Sequence, residues 1–181
     1  MITTEQEHLH RQEQDKHTIL PAEKPSQFAQ ITKKITAPTA AELDQLINKF
    51  NLGLLAEVKE QAITLTQTFP EHGMAWKVLG VIYHNEQQIE NANNTLHRAV
   101  ALMPKDAEVH YNLANFHCDT QQFEAAKNAF QKAIKLAPDF AKAHFNLANV
   151  LRELKQFKSA ETSYRTGLKL EPQQAKMHFH L

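Results

Sequence analysis

The amino-acid sequence predicts an all-α protein, a right-handed α-solenoid of helix-turn-helix repeats with a disordered N-terminal leader. Three observations predict it. Ala107 to Pro138 and Ala141 to Pro172 are near-copies, pairing Leu113 with Leu147, Ala114 with Ala148, Ala126 with Ala160, Phe130 with Tyr164 and Leu136 with Leu170, always 34 residues apart. Pro70, Pro104, Pro138 and Pro172 keep the same spacing and carry the register back through a third copy. Small residues at 92, 99, 126, 133, 160 and 167 recur where closely crossing helices need room. A fixed period of this size marks units whose apolar face is buried only against a neighbour.

The elements follow in chain order. Residues 1–38 read as a disordered polar leader: Gln, Glu, His, Thr and Lys dominate, and Pro21, Pro25 and Pro38 interrupt any helix, leaving too little to bury against chain entropy. The solenoid is assigned to 39–181. Residues 39–72 form a degenerate repeat, one helix carrying Leu43, Leu46, Ile47 and Phe50 and the next Leu55, Val58, Ala62, Ile63 and Leu65. Counted back from Pro70, its small positions hold Val58 and Leu65 and its bulky one Ala62, as expected of a terminal cap. Regular repeats occupy 73–106, 107–140 and 141–174, with helices expected at 73–86 and 89–102, 107–119 and 122–136, and 141–154 and 157–170. Each second helix runs to a proline that cannot extend it. The turns between paired helices contain no glycine, so some backbone strain is expected there. A further repeat starts at 175–181, where Ala175, His178, Phe179 and Leu181 take the places of Ala141, His144, Phe145 and Leu147. The face left open beside it predicts self-association through that end, or a chain shortened from a longer repeat protein.

Composition excludes several functions. Twenty basic side chains balance twenty acidic ones, so the attraction that dominates nucleic-acid binding is missing. No apolar run is long enough for a membrane span and no secretory signal opens the chain, which predicts no membrane partner and a cytoplasmic protein. Cys118 has no second cysteine to pair with. The four glycines, at 53, 73, 80 and 167, make no phosphate loop, and no nucleophile stands with an evident base. His8, His10 and His17 read as solvated; His110, His144 and His178 recur at the place of Trp76, a packing position, and His117 lies seven residues beyond His110. The expectation is therefore no enzyme, no cofactor and no metal.

The third copy, Trp76-x2-Leu79-Gly80-x2-Tyr83 followed by Ala92, Leu96 and Pro104, resembles the tetratricopeptide repeat (TPR), and the resemblance covers residues 40 to 181. It implies a protein-interaction scaffold whose first helices line a concave groove that takes an extended peptide. On those helices Asn112 and Asn146 recur, as do Asn115 and Asn149, and an amide that both donates and accepts suits a peptide backbone of any sequence. Tyr111 and Phe145 recur beside them, to touch a ligand or to pack between helices. Asn112 and Asn146 also stand where the asparagine ladder runs in the TPR superhelix of O-linked N-acetylglucosamine transferases, although Val78 and His180 break it on either side. That likeness implies an alternative, the substrate-recruiting arm of a bacterial glycosyltransferase or sulfotransferase. Lys77, Asn112 and Lys142 match part of the clamp with which other TPR domains hold a C-terminal carboxylate, but Val81 and Asn146 depart from it. The expected binding face is Lys77, Tyr111, Asn112, Asn115, Lys142, Phe145, Asn146 and Asn149, its partner a protein or peptide.

Overall fold

The computed structural model describes residues 37–172, and these are helical with no strand among them. In order they form α1 (Ala40–Asn51), α2 (Leu55–Thr68), α3 (Gly73–Asn85), α4 (Ile89–Leu102), α5 (Ala107–Asp119), α6 (Phe123–Leu136), α7 (Ala141–Glu153) and α8 (Phe157–Leu170). Of the expected segments, nearly all of the leader and all of 175–181 lie outside the described residues.

Local chemistry sets the helix ends. α2, α4, α6 and α8 all stop two residues before a proline of the 34-residue ladder, since proline disfavours helical backbone in the residue before it. Thr39 caps α1 in a reciprocal box: its hydroxyl accepts from Glu42 N–H, and its own N–H donates to Glu42 Oε2 at 2.7 Å. That bond to the Thr39 backbone holds the Glu42 carboxyl below its usual range. Asp106 caps α5 by accepting from the N–H groups of Glu108 and Val109.

Each turn inside a hairpin needs one residue in left-handed backbone. Gly53 supplies it in the first unit at φ 75°, and Gln87, Gln121 and Lys155 supply it at φ 57°, 58° and 60° in the others, again 34 apart. The strain expected of turns without glycine is therefore localised to one residue in each regular hairpin.

Helices pack in sequence, α2 on α3, α4 on α5 and α6 on α7, so the second helix of one hairpin is covered by the first helix of the next. Ala92, Ala99, Ala126 and Ala133 are wholly buried at these crossings, with Leu96, Phe116 and Phe130 filling the adjoining grooves. In the first hairpin Val58, Ala62 and Leu65 are all buried, so the exchange of small and large residues still yields a closed core. On α8 only Ala160 and Gly167 are buried, and Phe157 and Leu170 are exposed.

One contact ties each regular unit to the loop before it. Trp76 Nε1 donates to the Pro70 carbonyl at 2.9 Å, His110 Nε2 lies 3.0 Å from the Pro104 carbonyl and His144 Nε2 2.9 Å from the Pro138 carbonyl. A carbonyl only accepts, so both imidazoles carry the proton on Nε2. The recurrence of these rings at one register position is the repetition of a structural bond.

Candidate functional site

Residues on the first helices α1, α3, α5 and α7 that fall 34 apart share one face, and their chemistry changes along the chain. One column reads Asp44, Val78, Asn112, Asn146; the next reads Ile47, Val81, Asn115, Asn149; a third, at the helix ends, reads Asn51, Asn85, Asp119, Glu153. The first two columns change from Val78 and Val81 on α3 to asparagines on α5 and α7, and the third changes from asparagine on α1 and α3 to Asp119 and Glu153.

Two adjoining cavities lie on this face. The first, about 490 Å³, has apolar walls of Ile47, Phe50, Met74, Val78, Val81, Tyr111 and Phe140, with Lys77, Glu108, Asn112 and Lys142 among its polar lining. The second, about 340 Å³, is lined by Asn115, Asn146 and Asn149 together with Cys118, Asp119, Phe123, Val150 and Glu153. Asn146 joins them: its Nδ2 donates to the Tyr111 hydroxyl at 3.1 Å on one side and to Asn115 Oδ1 at 2.9 Å on the other.

The eight residues expected on the binding face therefore separate. Lys77, Tyr111, Asn112 and Lys142 line the first cavity, and Asn115, Asn146 and Asn149 the second. Phe145 lines neither. It is buried against Gly167, where an added Cβ would sit 2.8 Å from the Phe145 ring, and beside the Tyr164 ring. The expectation that Phe145 faces the groove is corrected accordingly: one step from Asn146 turns a side chain about 100° around a helix, from the groove to the core.

Partners already held decide what each group can offer. Lys77 Nζ donates to Asp106 Oδ2 at 3.1 Å and also to Glu108, so its charge is compensated. The Tyr164 hydroxyl donates to Asn149 Oδ1, leaving the Asn149 amino group for other acceptors. Asn112 makes no side-chain hydrogen bond, and Lys142 no ion pair, to the described residues. Burial, reinforced by the neighbouring Asp119, pushes the Cys118 thiol up to about 11, so it is the inert protonated form at neutral pH. Outside the groove, His117 Nδ1 lies 2.9 Å from Gln122 Oε1 and its ring meets that of His97; no three His, Cys, Asp or Glu side chains among the described residues gather to hold a metal ion.

Sequence reasoning missed the apolar cavity. It sought a polar ladder and passed over Ile47, Phe50, Met74, Val81 and Phe140, although Ile47 and Val81 hold the same register position as Asn115 and Asn149.

A family model of the tetratricopeptide repeat matches residues 83–131 and 119–178, which together run over more than half of the 181-residue chain. The chain belongs to the tetratricopeptide-repeat family. Solved structures similar to this TPR chain include MamA, at 21% identity and TM-score 0.66 over 75% of this chain and 79% of that one. A second is MamA from Desulfovibrio magneticus RS-1, at 26% identity and TM-score 0.64 over 74% and 75%. PilF of Pseudomonas aeruginosa matches at 20% identity and TM-score 0.66 over 73% of this chain and 60% of that one. No curated protein matches. These likenesses agree with a TPR repeat protein, an architecture suited to protein interaction. No helix among the described residues is long and apolar enough to cross a membrane.

Proposed function

We propose that this protein is a non-catalytic interaction scaffold whose groove takes an extended segment of a protein partner. The observation that carries the reading is the apolar cavity of about 490 Å³ built from the first helices of successive hairpins, with the Asn112 amide and the Lys142 ammonium still open to a ligand. An apolar concavity with a few open polar groups is the usual form of a recognition site.

Two narrower readings fit less well. A carboxylate clamp needs the Lys77 charge, which Asp106 and Glu108 already occupy. The arm of a glycosyltransferase or sulfotransferase, read from the asparagine ladder, would have only the Oδ1 of Asn146 to offer a ligand, both hydrogens of its amino group being held by Tyr111 and Asn115. Cys118, the thiol that lines the groove, is held in its unreactive form.

The test is selection of a displayed random-peptide library on the full chain, repeated with Val81→Asp, which sets a carboxylate in the apolar cavity, and with Asn112→Ala. Enriched peptides are expected to bind Val81→Asp at least tenfold more weakly. Asn112→Ala should cost about 0.5 to 1.5 kcal/mol, the worth of one hydrogen bond. Equal binding by wild type and Val81→Asp, at equal helicity, rejects the groove.

A further inference from the structure

Resting on the groove reading above, we propose that the partner segment carries a bulky apolar side chain and, about three residues from it, a lysine or arginine. The apolar side chain enters the cavity walled by Phe50, Met74, Val81 and Tyr111. The cation enters the adjoining one, whose lining includes Asp119 and Glu153 and neither lysine nor arginine.

Three features of the second cavity favour a cation. Asp119 and Glu153 are the last residues of α5 and α7, so their carboxylates stand beside the negative ends of two helix dipoles. Acidic side chains at helix C-termini are unfavourable in themselves, and a ligand cation relieves both. Asp119 Oδ2 lies at hydrogen-bond distance from His84 Nε2, 2.8 Å, whereas the one ion pair of Glu153 among the described residues is with Arg152 at 3.8 Å. Finally, the column that ends in these acids holds the neutral Asn51 and Asn85 in the earlier units, and Glu108, the carboxylate lining the apolar cavity, is already paired with Lys77.

Spacing and direction follow from α5, which borders both cavities. From Tyr111 to Asp119 the helix rises about 12 Å at 1.5 Å per residue, a distance an extended chain covers in about three to four residues. Lys142, at the N-terminal end of α7 and on the rim of the apolar cavity, repels a cation from that end. The charge gradient along α7 thus sets which way the segment lies.

The probe is a set of fluorescein-labelled octapeptide pools, acetylated and amidated so that no terminal charge contributes. Each fixes one Phe and, three residues to either side, Arg, Ser or Asp, with Ser, Ala and Gln mixed elsewhere. Binding to the full 181-residue chain is read by anisotropy. In one of the two orders, Arg pools are expected to bind about tenfold tighter than Asp pools, the gap narrowing at high salt. Glu153 is exposed, so Glu153→Lys should keep the melting temperature while reversing the ranking. Arg, Ser and Asp pools that bind alike overturn the cation requirement and leave the groove reading standing. An Arg preference that survives Glu153→Gln combined with Asp119→Asn also overturns it. Failure of every pool to bind overturns the groove reading itself.

Discussion

The first hairpin and the three that follow it reach one geometry with different residues. At the register position of Trp76, His110 and His144 the first hairpin has Glu42, which bonds Thr39 and closes a cap where the others bond a proline carbonyl. At the left-handed turn it has Gly53 where they have Gln87, Gln121 and Lys155. In its core it has Val58, Ala62 and Leu65 where the second unit has Ala92, Leu96 and Ala99, and all six are buried. The comparison teaches that each position demands a condition, a filled volume, a satisfied backbone group or a left-handed residue, and that several side chains meet it. A solenoid tolerates this because each unit answers only to its neighbours.

The sharpest break comes at the exchanged core position. Leu96 is fully buried and fills the space over Gly80, where an added Cβ would lie 2.8 Å from Leu96 Cδ2. Leu96→Ala removes that filling and is expected to destabilise by about 2 to 5 kcal/mol. The equivalent change in the first hairpin, Ala62→Leu, inserts a large side chain between Val58 and Leu65 and should cost about 1 to 3 kcal/mol. Urea unfolding of both variants decides: if Ala62→Leu stabilises, the first hairpin has a regular core with a void rather than a compensated exchange.

The same comparison shows what could be read from the residues alone. The period of 34 revealed the helices to within one residue at most ends, because prolines and buried alanines recur only where the backbone and the crossings require them. The groove was half legible. Asn112, Asn115, Asn146 and Asn149, singled out because they recur 34 residues apart, line the two cavities. Its apolar half was hidden, because Ile47, Met74 and Val81 are the same residue types that fill cores and periodicity does not tell a cavity wall from a packed interior. Phe145 went astray for the opposite reason, although Gly167, standing where Ala99 and Ala133 stand in other units, marks the room its ring occupies.

The ring-to-proline bond is next in size. His110→Phe keeps much of the volume and loses the bond to the Pro104 carbonyl, so about 0.5 to 1.5 kcal/mol should be lost on urea unfolding. Replacing His110 by Trp, the residue of the second unit, should restore most of it. Equal losses in both variants would mean that the polar ring contributes through shape alone.

A smaller effect is visible as a pH slope, and it belongs to the third unit only. His117 is buried where the fourth unit has Leu151, and desolvation lowers its affinity for a proton below the ordinary value of 6.5, with His97 adding to the effect and Gln122 opposing it. The unfolded chain then takes up the proton first, so stability present above pH 6.5 is lost as pH falls through that value toward the folded-state one. His117→Leu should flatten this part of the profile between pH 7.5 and 5.5. Parallel melting profiles for the two proteins would show that His117 is protonated equally in both states.

The smallest expected change isolates backbone conformation from packing. Gln121 sits at φ 58°, where a side chain costs about 1 to 2 kcal/mol, while glycine returns about 0.5 to 1 kcal/mol of that through its freer unfolded state. Gln121→Gly should therefore stabilise by roughly 0.5 kcal/mol. In the first hairpin the sign reverses: Gly53→Gln should destabilise by a similar amount, and because an added Cβ at Gly53 meets nothing within 4 Å, no clash contributes. Chemical denaturation of both variants, with the slope unchanged, gives two differences of opposite sign if the left-handed residue alone decides. Two differences of the same sign would mean that the turns differ in more than their glycine, and the equivalence of the four hairpins would then fail at the position where they appear most alike.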